Sequence, residues 1–385
     1  MAQSFTGKII KGEGIARHTG YPTLNLARTS IKGKLPKNGV WAVWAWLDSA
    51  QIPAILVLGV PYRNKSVKRN KIEIHLLNSE KITQGFIKVE LLQYLRPIKK
   101  YHNPVKLKAD IKNDIAKTKL ILNKYTGADL PKNTEQFVVH LVKKVGRTLA
   151  QEFYKQQRVL WRDKYKTQIV TKFDLLADKI ILEAIKNKFP DHSILSEESG
   201  SYGQRSDYVW VVDPLDGTTN FAMKNPFFCI SIALTYKSRP ILGVVYNPLI
   251  DELFTARTTK GAKLNNKNIK VSKTYQLNHS FLSFCYGNRI LDIKRAIKLF
   301  NKLKLTGKDM RQLGSAALEG CYVASGRTDA LIVPGAHPWD VAAGALIAQE
   351  AGAMVTDFQG NDWTMQSKDI LIASPQIHSL LIKRL

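Results

Sequence analysis

Two carboxylates three residues apart, Asp213 and Asp216, stand in the run Trp210-Val-Val-Asp-Pro-Leu-Asp-Gly-Thr-Thr-Asn-Phe. The apolar start of that run, Trp210 to Val212, reads as a buried strand that delivers both acids at its end. Pro214 stiffens the turn between them. Carboxylate oxygens suit a hard divalent cation such as Mg²⁺. Gly217 lets the backbone approach a ligand closely, and Thr218 and Thr219 stand where a helix would begin. The free N–H groups and dipole of a helix start attract a phosphate. Cation beside phosphate is the layout of phosphoryl transfer or phosphate-ester hydrolysis.

Two further pieces point the same way. Glu197-Glu198 follows a short strand, and Asp340 in Trp339-Asp-Val-Ala-Ala-Gly344 heads a helix of small residues. Alone, the first is an ordinary solvated pair and the second a packed aromatic with an N-cap. In this order and spacing, with Val170-Thr-Lys-Phe-Asp174 and Gly314-Ser-Ala-Ala-Leu318, the set resembles the inositol monophosphatase family over Glu135 to Leu385. The resemblance implies an α+β domain, a layered αβαβα sandwich, and Mg²⁺-dependent hydrolysis of a small phosphomonoester such as a sugar, inositol, nucleotide or ribityl phosphate. By motif position, Glu197, Asp213 and the carbonyl of Leu215 would hold one Mg²⁺; Asp213, Asp216 and Asp340 would hold a second. Glu197 and Thr218 would orient the attacking water, and Gly217 with Thr218 would bind the phosphate. Asp174 has two readings, the family's extra acid near the metals or the N-cap of a helix. Members of this family often dimerise, so a homodimer is expected. Where inositol-hydrolysing members carry an acid seven positions before the last metal ligand, this chain has Val333. A valine accepts no hydrogen bond from a hydroxyl, which argues against myo-inositol phosphate as substrate.

A second constellation lies near the start of the chain. Gly12 and Gly14 would allow close approach to phosphates. Thr23 and Asn25 offer short oxygen ligands for a Mg²⁺ shared with ATP. Glu73, entering from a strand, can take a proton from an attacking hydroxyl. The ordered set, with Gly39-Val-Trp-Ala-Val and Tyr94-Leu-Arg-Pro97, resembles riboflavin kinase over about Gly7 to Leu122. That resemblance implies phosphorylation of riboflavin to FMN, with ATP as co-substrate, Glu73 as base and Arg96 near the flavin-side flap. His75 reads as a strand histidine, and Trp41, Trp44 and Trp46 read first as barrel packing and second as a flavin stack. A different reading makes the barrel a flavin- or nucleotide-binding regulator of an active phosphatase.

Those residues need a scaffold. Short β-rich segments at Gly7–Lys11, Gly39–Leu47, Ala54–Leu58, Lys71–Leu77 and Phe86–Leu95 predict a small antiparallel barrel, closed by an amphipathic helix at Lys106–Leu122. Residues 125–134 read as a linker between a barrel at 1–124 and a second domain at 135–385. In that domain, helices are predicted around Glu135–Gln157 and Asp174–Lys188, and strands at Ile194–Leu195, before Asp213, at Phe227–Tyr236 and at Ile241–Tyr246.

Composition narrows the partners. The chain of 385 residues has a net charge of +27, and its first 130 residues carry 23 Lys+Arg against 8 Asp+Glu. Such an excess favours anionic ligands. The densest basic run, Lys65–Lys71, reads as an exposed loop, and no zinc-ligand or nucleic-acid-binding motif accompanies it, so nucleic acid is disfavoured. Cys229, Cys285 and Cys321 are scattered and read as buried thiols of a reducing cytoplasm. No leader pattern opens the sequence and no apolar stretch is long enough for a membrane span.

Overall fold

A computed structural model describes residues 3–10, 23–47, 50–59, 71–77, 85–99, 104–126, 130, 133–155, 159–165 and 168–385. The chain forms two compact units, Met1–Asp129 and Leu130–Leu385.

The first unit contains β1 (Ser4–Ile10), β2 (Leu24–Leu26), β3 (Lys32–Gly33), β4 (Gly39–Leu47), β5 (Ala50–Gly59), β6 (Lys71–Leu76), β7 (Phe86–Arg96) and α1 (Pro104–Thr126). Strands pair in the order β2-β6-β5-β4-β7-β1, all antiparallel, and a β1–β2 pairing closes the barrel while β3 adds to the edge of β1. Alternation along each strand fills the interior with one residue in two: Val43, Ala45 and Leu47 from β4 meet Ile72 and Ile74 from β6. Glu73 is therefore on the outer face. Helix α1 lies over β4, β5 and β7. The outward residues Ala42, Trp44 and Ile55 are buried even so. Arg96 at the end of β7 is tied to Asp114 of α1 by a 2.7 Å ion pair, with its Nε donating to both carboxylate oxygens at 3.1 Å. Trp41 packs edge-on against Tyr94 and donates its indole N–H to the Lys37 carbonyl, so packing is its observed use.

The second unit begins with α2 (Thr134–Lys155), the hairpin β8 (Trp161–Tyr165) and β9 (Gln168–Thr171), and α3 (Lys172–Lys188). There follow β10 (Ser193–Ser196), β11 (Gly200–Tyr202), β12 (Tyr208–Asp216), α4 (Thr218–Ala222), β13 (Cys229–Tyr236), β14 (Arg239–Asn247), β15 (Glu252–Arg257), β16 (Ala262–Leu264) and β17 (Lys267–Asn268). The last part contains β18 (Phe281–Phe284), α5 (Ile290–Leu303), β19 (Asp309–Arg311), α6 (Ala316–Ala324), β20 (Ala330–Pro334), α7 (Pro338–Glu350), β21 (Met354–Thr356), β22 (Asp369–Ala373) and α8 (Pro375–Leu381). One sheet runs β11-β10-β12-β13-β14-β15-β16-β17 and the other β19-β18-β20-β22-β21.

Alternating side chains stack these elements into five layers. Trp210, Val212, Ile230 and Ile232 point from the first sheet to α2 and α3. Their neighbours Val211, Ala233 and Val245 point to α6 and α7, which also receive Leu331, Val333, Ile370 and Ile372 of the second sheet. Ala330, Ile332 and Leu371 face the other way, towards α5 and α8. The fold is thus the αβαβα sandwich expected from the resemblance. Small residues let the central helices sit close: a Cβ on Gly243 of β14 would stand 2.8 Å from the Ala343 carbonyl of α7. Among the described residues, no helix is long and apolar enough to cross a membrane.

Candidate active site

Strand pairing sets the first carboxylates side by side. β10 runs parallel to β12, and just beyond it the Glu197 N–H donates to the Val212 carbonyl at 3.1 Å. On the other side of β12, Asp213 faces Ser231 of β13 but Asp216 faces Cys229, so three steps on one strand meet two on the other. Residues three apart on a regular strand point to opposite faces. This bulge, at Pro214-Leu215, resets the alternation and keeps both aspartates at one site. Leu215 donates its N–H to Asp213 Oδ1 at 3.1 Å. The chain then turns at Gly217, whose φ of 99° is left-handed and whose missing Cβ would lie 3.0 Å from the Phe227 carbonyl. Thr218 starts α4 as the sequence predicts.

Asp340 comes from the central layer. It is the third residue of α7, after Pro338, and accepts the His337 N–H at 3.0 Å. One oxygen from each of Glu197, Asp213 and Asp340 lies within 4.8 Å of the others. Asp216, predicted as a fourth ligand, lies outside that set of three, though near enough to repel the Asp213 charge; its Oδ2 accepts the Ser315 hydroxyl at 2.6 Å and the Ala317 N–H at 2.8 Å, both at the start of α6.

Burial of such acids is costly without a counter-charge. Asp213 is 1% exposed. Burial, then repulsion from Glu197 and Asp216, pushes its carboxyl well above the usual range. Asp340 is raised in the same way by burial and by Glu197 and Asp216, and Asp216 is pushed up to about 6 mainly by burial. A hard divalent cation resolves this repulsion, and the all-oxygen donor set fits Mg²⁺ better than a soft metal.

Lys164 escaped the motif reading. Lys164, on β8, brings its ammonium 3.2 Å from Glu197 Oε1 and 2.8 Å from Glu198 Oε1. Burial works against its charge, yet the two glutamates hold it above its ordinary value. A lone lysine in a short hairpin has no motif; only its place in an acid-rich fold marks it. Asp174, read from the sequence as an extra acid near the metals or as a helix N-cap, is not the N-cap residue itself. Helix α3 starts at Lys172 with Thr171 as N-cap, and Asp174 is the third helical residue, closing a capping box on the Thr171 N–H at 2.8 Å. Its other oxygen accepts the Thr218 hydroxyl at 2.7 Å, and burial pushes it up to about 6. One carboxylate oxygen thus serves the helix start and the other Thr218.

On the barrel, Asn25 of β2 lies directly opposite Glu73 of β6 in the antiparallel register, and Thr23 immediately precedes β2. Gly12, Gly14 and most of the basic run at Lys65–Lys71 lie outside the described residues. Val333 is 1% exposed, packed in the core between the second sheet and the central helices.

Comparison with known proteins agrees with this fold. The inositol monophosphatase family model matches residues 131–385, and the riboflavin kinase model matches residues 2–122. Nus factor SuhB of Pasteurella multocida is 37% identical over 251 residues, covering 64% of this chain and 93% of that protein. Inositol monophosphatase 3 of Solanum lycopersicum is 38% identical over 263 residues, 66% of this chain and 97% of the relative. The crystal structure of extragenic suppressor protein suhB from Bartonella henselae superposes with a TM-score of 0.61 at 33% identity, covering 65% of this chain and 96% of that one. With more than half of its length matched by the inositol monophosphatase model, the chain belongs to the inositol monophosphatase family, and a region matched by the riboflavin kinase model precedes it.

Proposed function

We propose that the chain is a bifunctional enzyme, hydrolysing a small phosphomonoester with Mg²⁺ at the acidic cluster and phosphorylating riboflavin to FMN with ATP on the barrel. The convergence of Glu197, Asp213 and Asp340 within 4.8 Å carries the hydrolase half of this reading. Glu197, Asp213 and the Leu215 carbonyl would hold one Mg²⁺, and Asp213, Asp216 and Asp340 a second. When bound, the ions supply charge neutralisation for the phosphate and a lowered pKa for water.

This chain's own groups do the positioning. Thr218 has one hydroxyl hydrogen and two acceptors, Asp174 Oδ1 at 2.7 Å and the Leu215 carbonyl at 3.1 Å. The shorter bond, to a carboxyl group, takes the hydrogen and leaves the threonine oxygen to accept one from a water. With Glu197 on the other side, that water is oriented for attack on phosphorus. The N–H groups of Gly217 and Thr218 bind the phosphate oxygens. On the barrel, Glu73 takes the proton from the ribityl hydroxyl while Thr23 and Asn25 serve Mg·ATP. By the riboflavin kinase resemblance, Gly12 and Gly14 would serve the ATP phosphates.

Free hydrolysis of FMN by the second half would undo the first in an ATP-consuming cycle. A phosphorylated ribityl precursor is therefore the favoured substrate, and Val333 argues against myo-inositol phosphate. The test is phosphate release from a panel that includes FMN, ribityl phosphates, sugar phosphates and nucleotides, alongside FMN formation from riboflavin and ATP. Neither activity in Mg²⁺ would reject the proposal; phosphate release alone would leave the barrel as a flavin- or nucleotide-binding regulator.

A further inference from the structure

Glu319, in the middle layer, is 0% exposed and takes no part in the chemistry above. Three donors converge on its Oε1: the Leu313 N–H at 3.1 Å, the Gly314 N–H at 3.0 Å and the Cys285 thiol at 2.9 Å. The two N–H groups belong to the turn before α6, so the acid reaches back along its own helix to satisfy them. From the opposite side, Asn220 of α4 donates its Nδ2 to the Leu313 carbonyl at 2.7 Å. Gly314, at a φ of 86°, lies so close to Asn220 that a Cβ would stand 3.0 Å from that nitrogen. The turn is clamped between an acid and an amide. Just beyond it, Ser315 and Ala317 both donate to Asp216 Oδ2, which the Cys229 thiol also reaches at 3.7 Å.

We propose that Glu319 is a positioning residue for the cation site: by fixing the Leu313–Ser315 turn it sets the orientation of Asp216. This rests on the reading of Asp216 and its neighbours as cation ligands. Groups that orient a ligand from behind typically matter by about 10- to 100-fold in metal affinity. Burial pushes the Glu319 carboxyl up to about 7, so near neutral pH much of it is uncharged. The turn accordingly needs an acceptor oxygen here more than a negative charge, and glutamine retains that acceptor.

The experiment is Mn²⁺ binding to the full chain by calorimetry, without any phosphate ester, paired with thermal unfolding. Glu319→Leu should bind Mn²⁺ about tenfold or more weakly while still melting cooperatively. Glu319→Gln should stay within about threefold of the parent, since it keeps the oxygen that accepts both N–H groups. If the leucine variant does not fold, Glu319→Asp replaces it, because a side chain one methylene shorter withdraws the acceptor. A folded leucine or aspartate variant that binds Mn²⁺ like the parent overturns the role, as does a glutamine variant as weak as leucine. Asp213→Asn serves as the control for the site itself. No binding by the parent, or full binding by Asp213→Asn, would reject the cation site and this role with it. Binding lost in Asp213→Asn but unchanged in Glu319→Leu would reject the positioning role alone.

Discussion

The barrel brings Asn25 beside Glu73 through one strand pairing, on an outer face where each side chain is half-buried. The sandwich draws Glu197, Asp213 and Asp340 from the end of a parallel strand, a bulged antiparallel strand and a helix start, and buries Asp213 almost fully. Register alone suffices for the first arrangement. The second needs two pairings, a bulge and the docking of α6 and α7, because three acids, with Asp216 buried nearby, must be held against repulsion and desolvation. An arrangement assembled at that cost depends on the packing of distant elements, whereas the barrel pair depends on local strand order.

The contrast can be broken from either end. Asp213→Asn should abolish phosphate release, by at least about 100-fold, while FMN formation is unchanged; a phosphatase assay that still runs would remove the acidic cage from the chemistry. Glu73→Gln is the mirror experiment, with an expected loss of about 10²- to 10⁴-fold in riboflavin phosphorylation and no change in phosphate release. Unaltered FMN formation in that variant would mean that Glu73 is not the base.

Acidity separates the two sites more gently. Asp213 and Asp340 are held well above their ordinary range and Asp216 at about 6, so protons compete with the cation as pH falls. Binding requires the deprotonated acids, so the Mg²⁺ concentration for half-maximal phosphate release should rise by about tenfold between pH 8 and pH 6. A flat dependence would contradict the repulsion argument.

Packing changes give the smallest effects. Asp114→Ala leaves the Arg96 guanidinium without its carboxylate at a nearly closed surface and should cost the barrel about 3 kcal/mol in urea unfolding, with phosphatase activity retained. Gly243→Ala forces a methyl group against the Ala343 carbonyl and should cost the sandwich about 1–3 kcal/mol. If it also weakens Mg²⁺, the cage is coupled to the seat of α7, which carries Asp340; if not, the helix start is rigid on its own.

Much of this was legible in the chain because the signals are local. Gly39–Leu47 emerges as β4 at the residues expected, and the apolar run before Asp213 is a strand buried on both faces. Asp213, Asp216 and Gly217 sit on one short segment, where the Leu215 N–H bond to Asp213 and the left-handed turn at Gly217 are local. Lys164 was not legible, since its hairpin has neither a motif nor a long apolar period, and its significance comes only from two glutamates more than thirty residues away. Glu319 was hidden for a related reason: an acid amid small apolar helix residues says nothing about which N–H groups it will meet. The β2 strand was also missed, because a segment of three residues is too short to show alternation.

By itself, then, the order of residues determined which groups are chemically able to grip a cation, where backbone must turn through left-handed space, and which side chains belong inside. Those follow from covalent structure and from the short-range periods of strands and helices. Only the tertiary structure decided that Asp174 shares its two oxygens between a helix cap and Thr218, that Lys164 leans on Glu197, and that Glu319 braces the turn behind Asp216. Such pairings depend on the register of distant strands and the seating of helices, and a hydrogen bond exists or fails over less than an ångström.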